Sequence, residues 1–342
     1  MSLTTLVGSL LWSSSSKIAR VLANTGALHA TKLDAYVISV GNLQAGGAGK
    51  TPLVAQIARE ALAKQNSVCI LTRGYGGECE SAGAVLKPAQ LSPSANADGT
   101  DIILDPKKFG DEAVLLRDLA PGAWIAIGAD RVSQYQKVCQ IHGRPFDVVI
   151  LDDGFQHWKI LKDREILAVT SRSTSDTFHR DFVSEASRAD LLVWTKGETR
   201  PQAVELSEKP SAKVRYTLEV TSKDRESRYW LVSAIGDAES FRKTVETAGL
   251  EVVRETKLAD HAAFSKSKIE AWLKEAQEKN CKIAVTGKDW VKWRALMKPG
   301  KKSPETKLSQ VKLQDVKDRI SVFEPKLVFE TGREVWEKVL WS

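Results

Sequence analysis

Lys50 and Thr51 close a glycine-rich run, VGNLQAGGAGKTP (residues 40–52), and that set of residue types is suited to holding phosphate. Gly46, Gly47 and Gly49 let the backbone curl so that N–H groups point at phosphate oxygens, with Ala48 and a following helix N-terminus completing the cradle. The Lys50 ammonium would then bridge β- and γ-phosphates, and the Thr51 hydroxyl would ligate Mg²⁺. Pro52 suits the first turn of that helix, where its missing N–H costs little. One position departs from the strict phosphate-loop spacing. Glycine is expected six residues before the lysine, and Gln44 stands there.

A second run, FDVVILDD (residues 146–153), is an apolar strand ending in paired acids. Phosphate-loop proteins place a Mg²⁺-coordinating Asp at such a strand end, so Asp152 and Asp153 are candidates for the metal site. Either feature alone has an ordinary reading, a glycine turn or a strand end closed by acids. Occurring together, they point to a nucleotide with Mg²⁺.

Further polar clusters follow other strand-like runs. TRGYGG (72–77) offers Arg73 and Tyr75, and IGADR (127–131) offers Arg131. Arg131 is suited either to an anionic substrate group or to a nearby acid. Asp111, in FGDEAVLLR (109–117), reads as a helix cap or as a carboxylate that accepts a proton from a substrate hydroxyl. DHAAF (260–264) pairs Asp260 with His261, an arrangement open to catalytic use.

The elements that must position these groups are legible as patterns. AYVISV (35–40) is a short β-branched run before the glycine loop, and LVAQIAREALAK (53–64) has helical spacing behind it. SVCILT, AWIAIG, FDVVILDD, EILAVT and DLLVWTK are further strands, several separated by helical patterns. Continuous apolar strands alternating with helices predict an α/β fold, a mostly parallel sheet with helices on both faces. Its strand C-termini form the ligand edge. The polar stretch 197–213 predicts a domain boundary, and a smaller α/β domain follows it. The expected division is 1–33, 34–214 and 215–342.

The chain has 342 residues, a formal charge of +7, and four cysteines without CxxC spacing. That charge favours anionic partners, while the cysteine pattern excludes a zinc site or disulfide framework. No recognition helix, zinc finger or aromatic–basic RNA motif points to nucleic acid as the partner. Residues 1–33 contain no acid but include Lys17, Arg20 and Lys32. Leu3, Val7, Leu10, Leu11, Ile18, Val21 and Leu22 recur there near a helical period, which predicts an amphipathic helix in a membrane interface.

In order, VGNLQAGGAGKTP, RGYGG, GDE, DDGFQH, DHAAF and TGKDWVK resemble the tetraacyldisaccharide 4′-kinase (lipid A 4′-kinase) family, from about residue 37 to residue 292. The spacing at Gln44 is that family's own. The resemblance implies a membrane-associated kinase with a phosphate-loop fold. It would transfer the γ-phosphate of ATP to the 4′-hydroxyl of a tetraacylated glucosamine disaccharide 1-phosphate at the cytoplasmic face of the bacterial inner membrane. It further implies that Lys50 and Thr51 bind phosphate and Mg²⁺, and that Asp152 and Asp153 belong to the metal site. Asp111 would be the base, with His261 tuning it from the second domain, so that catalysis would depend on domain closure. Arg73, Tyr75, Arg131, Gln156 and His157 would contact the bound ligands. The chain departs from the family in residues 171–190, where a loop around PAGPLRE is usual and Arg180 and Glu185 are the nearest echoes. The family's DHH is Asp260-His261-Ala262 here. A rival of another class is a nucleotide-hydrolysing switch or metallochaperone, whose GGxGKT is similar. Such proteins often carry a lysine where this chain has Ala45.

Overall fold

The computed structural model describes residues 29–44, 47–91, 103–171, 179–205, 207–260, 262–297 and 319–342, with positions 9, 13–15, 17–18 and 21–22. Two compact units divide the chain. Unit 1 comprises Met1–Pro93, Leu116–Arg215 and Leu327–Ser342, and unit 2 comprises Ser94–Leu115 and Tyr216–Lys326.

Unit 1 is built on a nine-stranded sheet. In chain order its strands are β1 (Tyr36–Asn42), β2 (Val68–Thr72), β3 (Ala84–Leu86), β4 (Trp124–Ile127), β5 (Val148–Asp152), β6 (Arg164–Thr170), β7 (Leu191–Lys196) and β8 (Ser211–Thr217). The ninth, β13 (Lys326–Thr331), joins the edge beside β8, giving the order β13-β8-β7-β6-β1-β5-β2-β4-β3. From β8 to β4 every neighbouring pair is parallel, and β3 lies antiparallel to β4. β1 occupies the middle, between β5 and β6, so the loop after it opens at the ligand edge.

Helices α1 (Lys50–Ala63) and α3 (Arg131–His142) cover this sheet. Val37, Cys69, Leu71, Val149 and Leu151 pack with Tyr135 and Val138 of α3. The strand period of two sends Ile38, Ile70 and Ile150 to the other face, and α1 packs against β1, β2 and β5. α1 buries Leu53, Val54, Ile57, Ala58 and Ala61, the helical-period positions visible in the sequence.

Unit 2 has its own parallel sheet of β9 (Arg228–Ser233), β10 (Glu251–Lys257), β11 (Lys282–Thr286) and β12 (Ile320–Phe323), ordered β10-β9-β11-β12. Its helices are α4 (Ala238–Thr247), α5 (Lys266–Glu278) and α6 (Gly287–Leu296). Trp230, Phe264, Trp272, Ile283 and Trp293 form its core, Trp272 stacking on Trp293 at 5.9 Å. The first residues of α2 (Asp111–Leu119) group with this unit, whereas α7 (Arg333–Trp341) groups with unit 1. The two units therefore do not follow a single cut in sequence.

Of the expected amphipathic helix over 1–33, most lies outside the described residues. Positions 13–15, 17–18 and 21–22 are helical. Ser13 is buried there, while Ile18, Val21 and Leu22 are exposed.

Candidate functional site

The loop after β1 reaches its turn through left-handed glycines, Gly47 at φ 50° and Gly49 at φ 73°. A side chain at either position would be strained, which is why glycine is required here. Gly49 caps α1 without any side-chain hydrogen bond, and the first turn of α1 contains no acid. A helix N-terminus without a side-chain cap or a first-turn acid is suited to an anion. Gly46 and Ala45 lie outside the described residues. Ala48 is buried, and its carbonyl accepts a 2.9 Å hydrogen bond from the Thr195 hydroxyl at the end of β7.

Gln44 has a structural task. Its Oε1 accepts from the Thr170 hydroxyl at 3.1 Å, its backbone bridges to His179, and its carbonyl accepts from the Asn42 amide. A glycine would lose the tie to β6. Beside the loop lies a cavity of about 340 Å³, lined by Leu43, Gln44, Ala48 and Thr170 among others, with room for a ligand larger than phosphate.

Lys50 Nζ donates to Asn42 Oδ1 at 3.0 Å and stands 3.4 Å from Asp153 Oδ1. The other Asp153 oxygen accepts from Arg180. Burial alone would raise the Asp153 pKa, but Lys50, Arg180 and Arg131 outweigh it and hold the carboxyl at about 2. Asp153 also has φ 52°, left-handed for a non-glycine residue, so the tertiary contacts impose this turn. Asp152 is buried, and its Oδ2 accepts from the Thr72 hydroxyl at 2.9 Å.

Arg131 lies beneath this pair, only 6% exposed, donating to the Asp152 carbonyl at 2.7 Å and the Asp153 carbonyl at 3.3 Å. It thus holds the acidic turn through the backbone. Gln156 Nε2 donates to the Asn42 carbonyl at 3.0 Å and to Asp181 Oδ2 at 3.1 Å, tying the DDGFQH turn to the end of β1. His157 is driven down to about 3 by burial first, then by Arg131, Lys162 and Lys159. It is neutral near pH 7. Arg73 and Tyr75 are exposed on the turn after β2, and Arg73 pairs with Glu80 at 2.5 Å. The structure brings Lys50, Arg131, Asp152, Asp153 and Gln156 into one network, whereas the Arg73 guanidinium is engaged by Glu80.

Mg²⁺ accepts one or two carboxylates, with waters and phosphates completing an octahedron. Among the described residues no group of three or more His, Cys, Asp or Glu gathers to hold a metal, and none is needed for that chemistry. Asp153 Oδ1 is buried and accepts no hydrogen bond among the described residues. That donor set, with Asp152 and the Thr51 hydroxyl, fits the ion.

Unit 2 carries a second cluster. Asp111, 6% exposed, begins α2, and Lys292 Nζ stands 3.4 Å from its Oδ2. One turn earlier on α6, Lys288 stands 3.8 Å from both Glu112 and Asp260. Asp111 is therefore both the first residue of a helix and part of a buried charge pair. The expectation that Asp111 and His261 lie in different domains is corrected: Asp111 belongs to unit 2, whose range spans position 261. Asp111 and Glu112 meet Lys292 and Lys288 of α6, over a hundred positions away, which no local composition shift announces. His261 itself lies outside the described residues.

Sequence reasoning assigned no role to Asn42, Thr72, Asp181, Thr195, Lys288 or Lys292. Asn42, Thr72 and the two lysines sit inside quoted motifs, so motif membership was a usable signal. Asp181 and Thr195 have none, because each acts through a partner distant in sequence.

Comparison with known proteins is consistent throughout. The family model described as Tetraacyldisaccharide-1-P 4′-kinase matches residues 1–322. A tetraacyldisaccharide 4′-kinase of Geobacter sulfurreducens is 31% identical over 280 residues, covering 76% of this chain and 75% of the relative. That of Pelobacter propionicus is 31% identical over 304 residues, covering 83% and 81%. A crystal structure of LpxK from Aquifex aeolicus, described as an "apo" form in complex with ATP, matches with TM-score 0.69 at 25% identity, covering 99% of this chain and 98% of that one.

Proposed function

The chain belongs to the tetraacyldisaccharide-1-P 4′-kinase family, and we propose a division of labour among its residues for that reaction. It is an ATP-dependent kinase of lipid A biosynthesis, which transfers the γ-phosphate of ATP to the 4′-hydroxyl of a tetraacylated disaccharide 1-phosphate. The observation carrying the residue assignment is Lys50, held between Asn42 and Asp153 at a helix N-terminus without a side-chain cap.

In this reading the backbone of Gly46, Gly47, Ala48 and Gly49 and the amides of Lys50 and Thr51 cradle the phosphates. Thr51, Asp152 and Asp153 would hold Mg²⁺, which would supply positive charge against the phosphates. Arg131 fixes the acidic turn from below, and Gln156 fixes its far side. A neutral His157 adds no further positive charge to that network.

A sugar hydroxyl is a weak nucleophile, so orientation and a positioned base matter more than covalent catalysis. Asp111 takes the 4′-hydroxyl proton as the oxygen attacks phosphorus in line. Lys292, 3.4 Å away, compensates the carboxylate charge, which suits a buried base. His261 orients that base, and Arg73 and Tyr75 meet the bound ligands from the exposed turn after β2.

The acyl chains of the acceptor require a membrane or micelle surface. We place the chain peripherally on the cytoplasmic face of the inner membrane, through residues 1–33. Exposed Ile18, Val21 and Leu22 beside Lys17 support this. No helix of the described residues is long and apolar enough to cross a membrane. The Ile18→Asp, Val21→Asp double variant is expected to lose co-flotation with anionic vesicles; undiminished flotation would remove the anchor assignment.

The decisive assay follows 4′-phosphorylation with ATP, Mg²⁺ and tetraacyldisaccharide 1-phosphate in detergent micelles. Transfer that requires the acceptor is expected. ATP hydrolysis at the same rate with and without acceptor, from folded protein, would instead favour a nucleotide switch.

A further inference from the structure

β7 does not run evenly to its end. Val169 of β6 pairs with Trp194, but the next β6 residue, Thr170, pairs with Lys196, so Thr195 is an extra residue left out of the ladder. Such a bulge bends its strand and re-aims a side chain. Thr195 is buried, and its hydroxyl meets the phosphate loop, donating to the Ala48 carbonyl at 2.9 Å. The Val169 carbonyl, at 3.2 Å, is the longer contact, so the single hydroxyl proton favours Ala48. The residues after the bulge are fastened as well. The Lys196 carbonyl accepts from the Ser171 amide at 3.0 Å and from the Trp194 indole at 2.8 Å. Gly197 follows at φ 94°, where a Cβ would strike the Ser171 side chain.

The hydroxyl holds only one carbonyl, but a peptide is rigid. In a trans peptide the C=O and the following N–H point in opposite directions. Drawing the Ala48 oxygen toward β7 therefore turns the Gly49 N–H away from β7, at the point where α1 begins. The glycines that let this loop curl also leave it free to err. Gly49 has φ 73°, and glycine accepts φ of either sign, so the Ala48–Gly49 peptide flips at little cost unless something holds it. A flipped peptide would present a carbonyl oxygen where the helix N-terminus should present an amide, and an anion is repelled there.

We propose that Thr195 is a positioning residue of the phosphate site: its hydroxyl locks the Ala48–Gly49 peptide with the Gly49 N–H turned to the phosphates, so that the loop is ordered before the nucleotide arrives. It acts through Ala48 rather than by contact with ATP. Gln44 and Thr170 fasten the entry of the loop through a side chain, whereas Thr195 fastens its exit through the backbone, beside the amides that begin α1. Such a lock raises the fraction of protein whose loop is competent. The apparent dissociation constant for any polyphosphate is the intrinsic one divided by that fraction. Bound ATP orders the peptide for itself, so the transfer step then proceeds near its ordinary rate.

This inference rests on the phosphate site at the head of α1, and the wild type separates the two failures. Wild-type protein that binds neither a fluorescent ATP analogue nor Mg²⁺-tripolyphosphate would overturn that site and the lock together. Thr195→Val, which keeps the shape and removes the donor, and Thr195→Ser, which keeps the donor, are compared in the full chain well below each melting temperature. Thr195→Val is expected to weaken the ATP analogue and tripolyphosphate alike, by about tenfold. KM for ATP should rise in proportion, while kcat and the KM for the acceptor stay within about twofold. Thr195→Ser should bind both probes within about threefold of wild type. The lock is overturned if Thr195→Val binds ATP within about twofold of wild type, whatever its melting temperature, because the hydroxyl then only satisfies a buried carbonyl. It is also overturned if ATP weakens and tripolyphosphate does not, or if serine weakens binding as much as valine. Should valine prevent folding, Thr195→Cys replaces it under the same criteria, its thiol being a much weaker donor at the same position.

Discussion

Two strands in this protein, β1 and β11, run into helices that begin with a lysine close by, and the two junctions behave in opposite ways. At the β1–α1 junction the cap is Gly49, which offers no side chain, and the first turn is free of acids. At the β11–α6 junction Thr286 caps the helix, accepting from the Asp289 amide at 3.2 Å and donating to the Asp289 carboxylate at 2.8 Å. Asp289 has no exposed surface and also accepts from the Ala234 amide at 3.2 Å. One helix start carries no side-chain cap; the other is closed by the chain's own carboxylate. A strand–helix junction binds a ligand only where its amides are not already spoken for.

The acids at the two places answer to different forces. Burial pushes the Asp289 carboxyl up, its hydrogen bonds opposing, whereas at Asp153 the Lys50, Arg180 and Arg131 cations overcome burial and bring the carboxyl to about 2. The lysines differ likewise. Lys50 stands at the open terminus, while Lys288 and Lys292 lie farther along α6 and face Glu112, Asp260 and Asp111.

If the open junction is the phosphate site, Lys50→Ala should have the largest effect, lowering kcat/KM for ATP by about 10³-fold or more, roughly 4 kcal/mol of transition-state stabilisation. A loss below tenfold would break the comparison at its open end. Asp111→Asn should follow, with kcat reduced by about 10²- to 10⁴-fold and ATP-analogue affinity unchanged. Near-normal turnover there would remove Asp111 as the base and leave the α6 lysines a purely structural role.

The closed end should respond in stability instead. Asp289→Ala strands the Ala234 amide and the Thr286 hydroxyl, costing about 3 kcal/mol in urea unfolding while ATP-analogue affinity in the folded protein stays within about twofold. A selective loss of nucleotide affinity would mean that both junctions bind. The smallest expected effect belongs to His157. Its folded pKa of about 3 lies below the ordinary 6.5, so the unfolded chain binds the extra proton between those values. Stability from this group is full above pH 6.5 and declines as pH falls toward 3, by up to about 1.4 kcal/mol per pH unit. His157→Gln should flatten the melting temperature between pH 6.5 and 5.5, and an unchanged slope would assign the dependence to other groups.

Much of unit 1 was legible because its signals are local. Apolar β-branched runs marked β1, β2 and β4 to β7 within two residues, and LVAQIAREALAK marked the buried face of α1. β3, β10, β12 and β13 escaped. β3 and β12 are only three and four residues long, and β10 and β13 are half exposed and rich in charged residues. At the site, the glycine loop and the acid pair were readable for the same local reason. Gln44 was visible as an anomaly and assigned to the family's spacing, but its partner Thr170 lies 126 residues away. Arg180 registered only as an echo of a family motif.

By itself the sequence determined that a glycine loop of a kind suited to phosphate follows an apolar strand, that two acids end another such strand, and which family the motifs resemble. Those properties reside in a few consecutive residues: glycines that reach positive φ, apolar runs that demand burial, and a lysine beside them. Only the tertiary structure decided that Gly41 must lack a side chain, because a Cβ there would lie 2.4 Å from that of Phe155. It also decided that Arg180 reaches Asp153, that Lys292 pairs with Asp111, and that Asp111 belongs to unit 2. Each of these is a meeting of residues far apart in the chain. Such meetings follow from the packing of whole elements, which the periodicity of one segment does not encode.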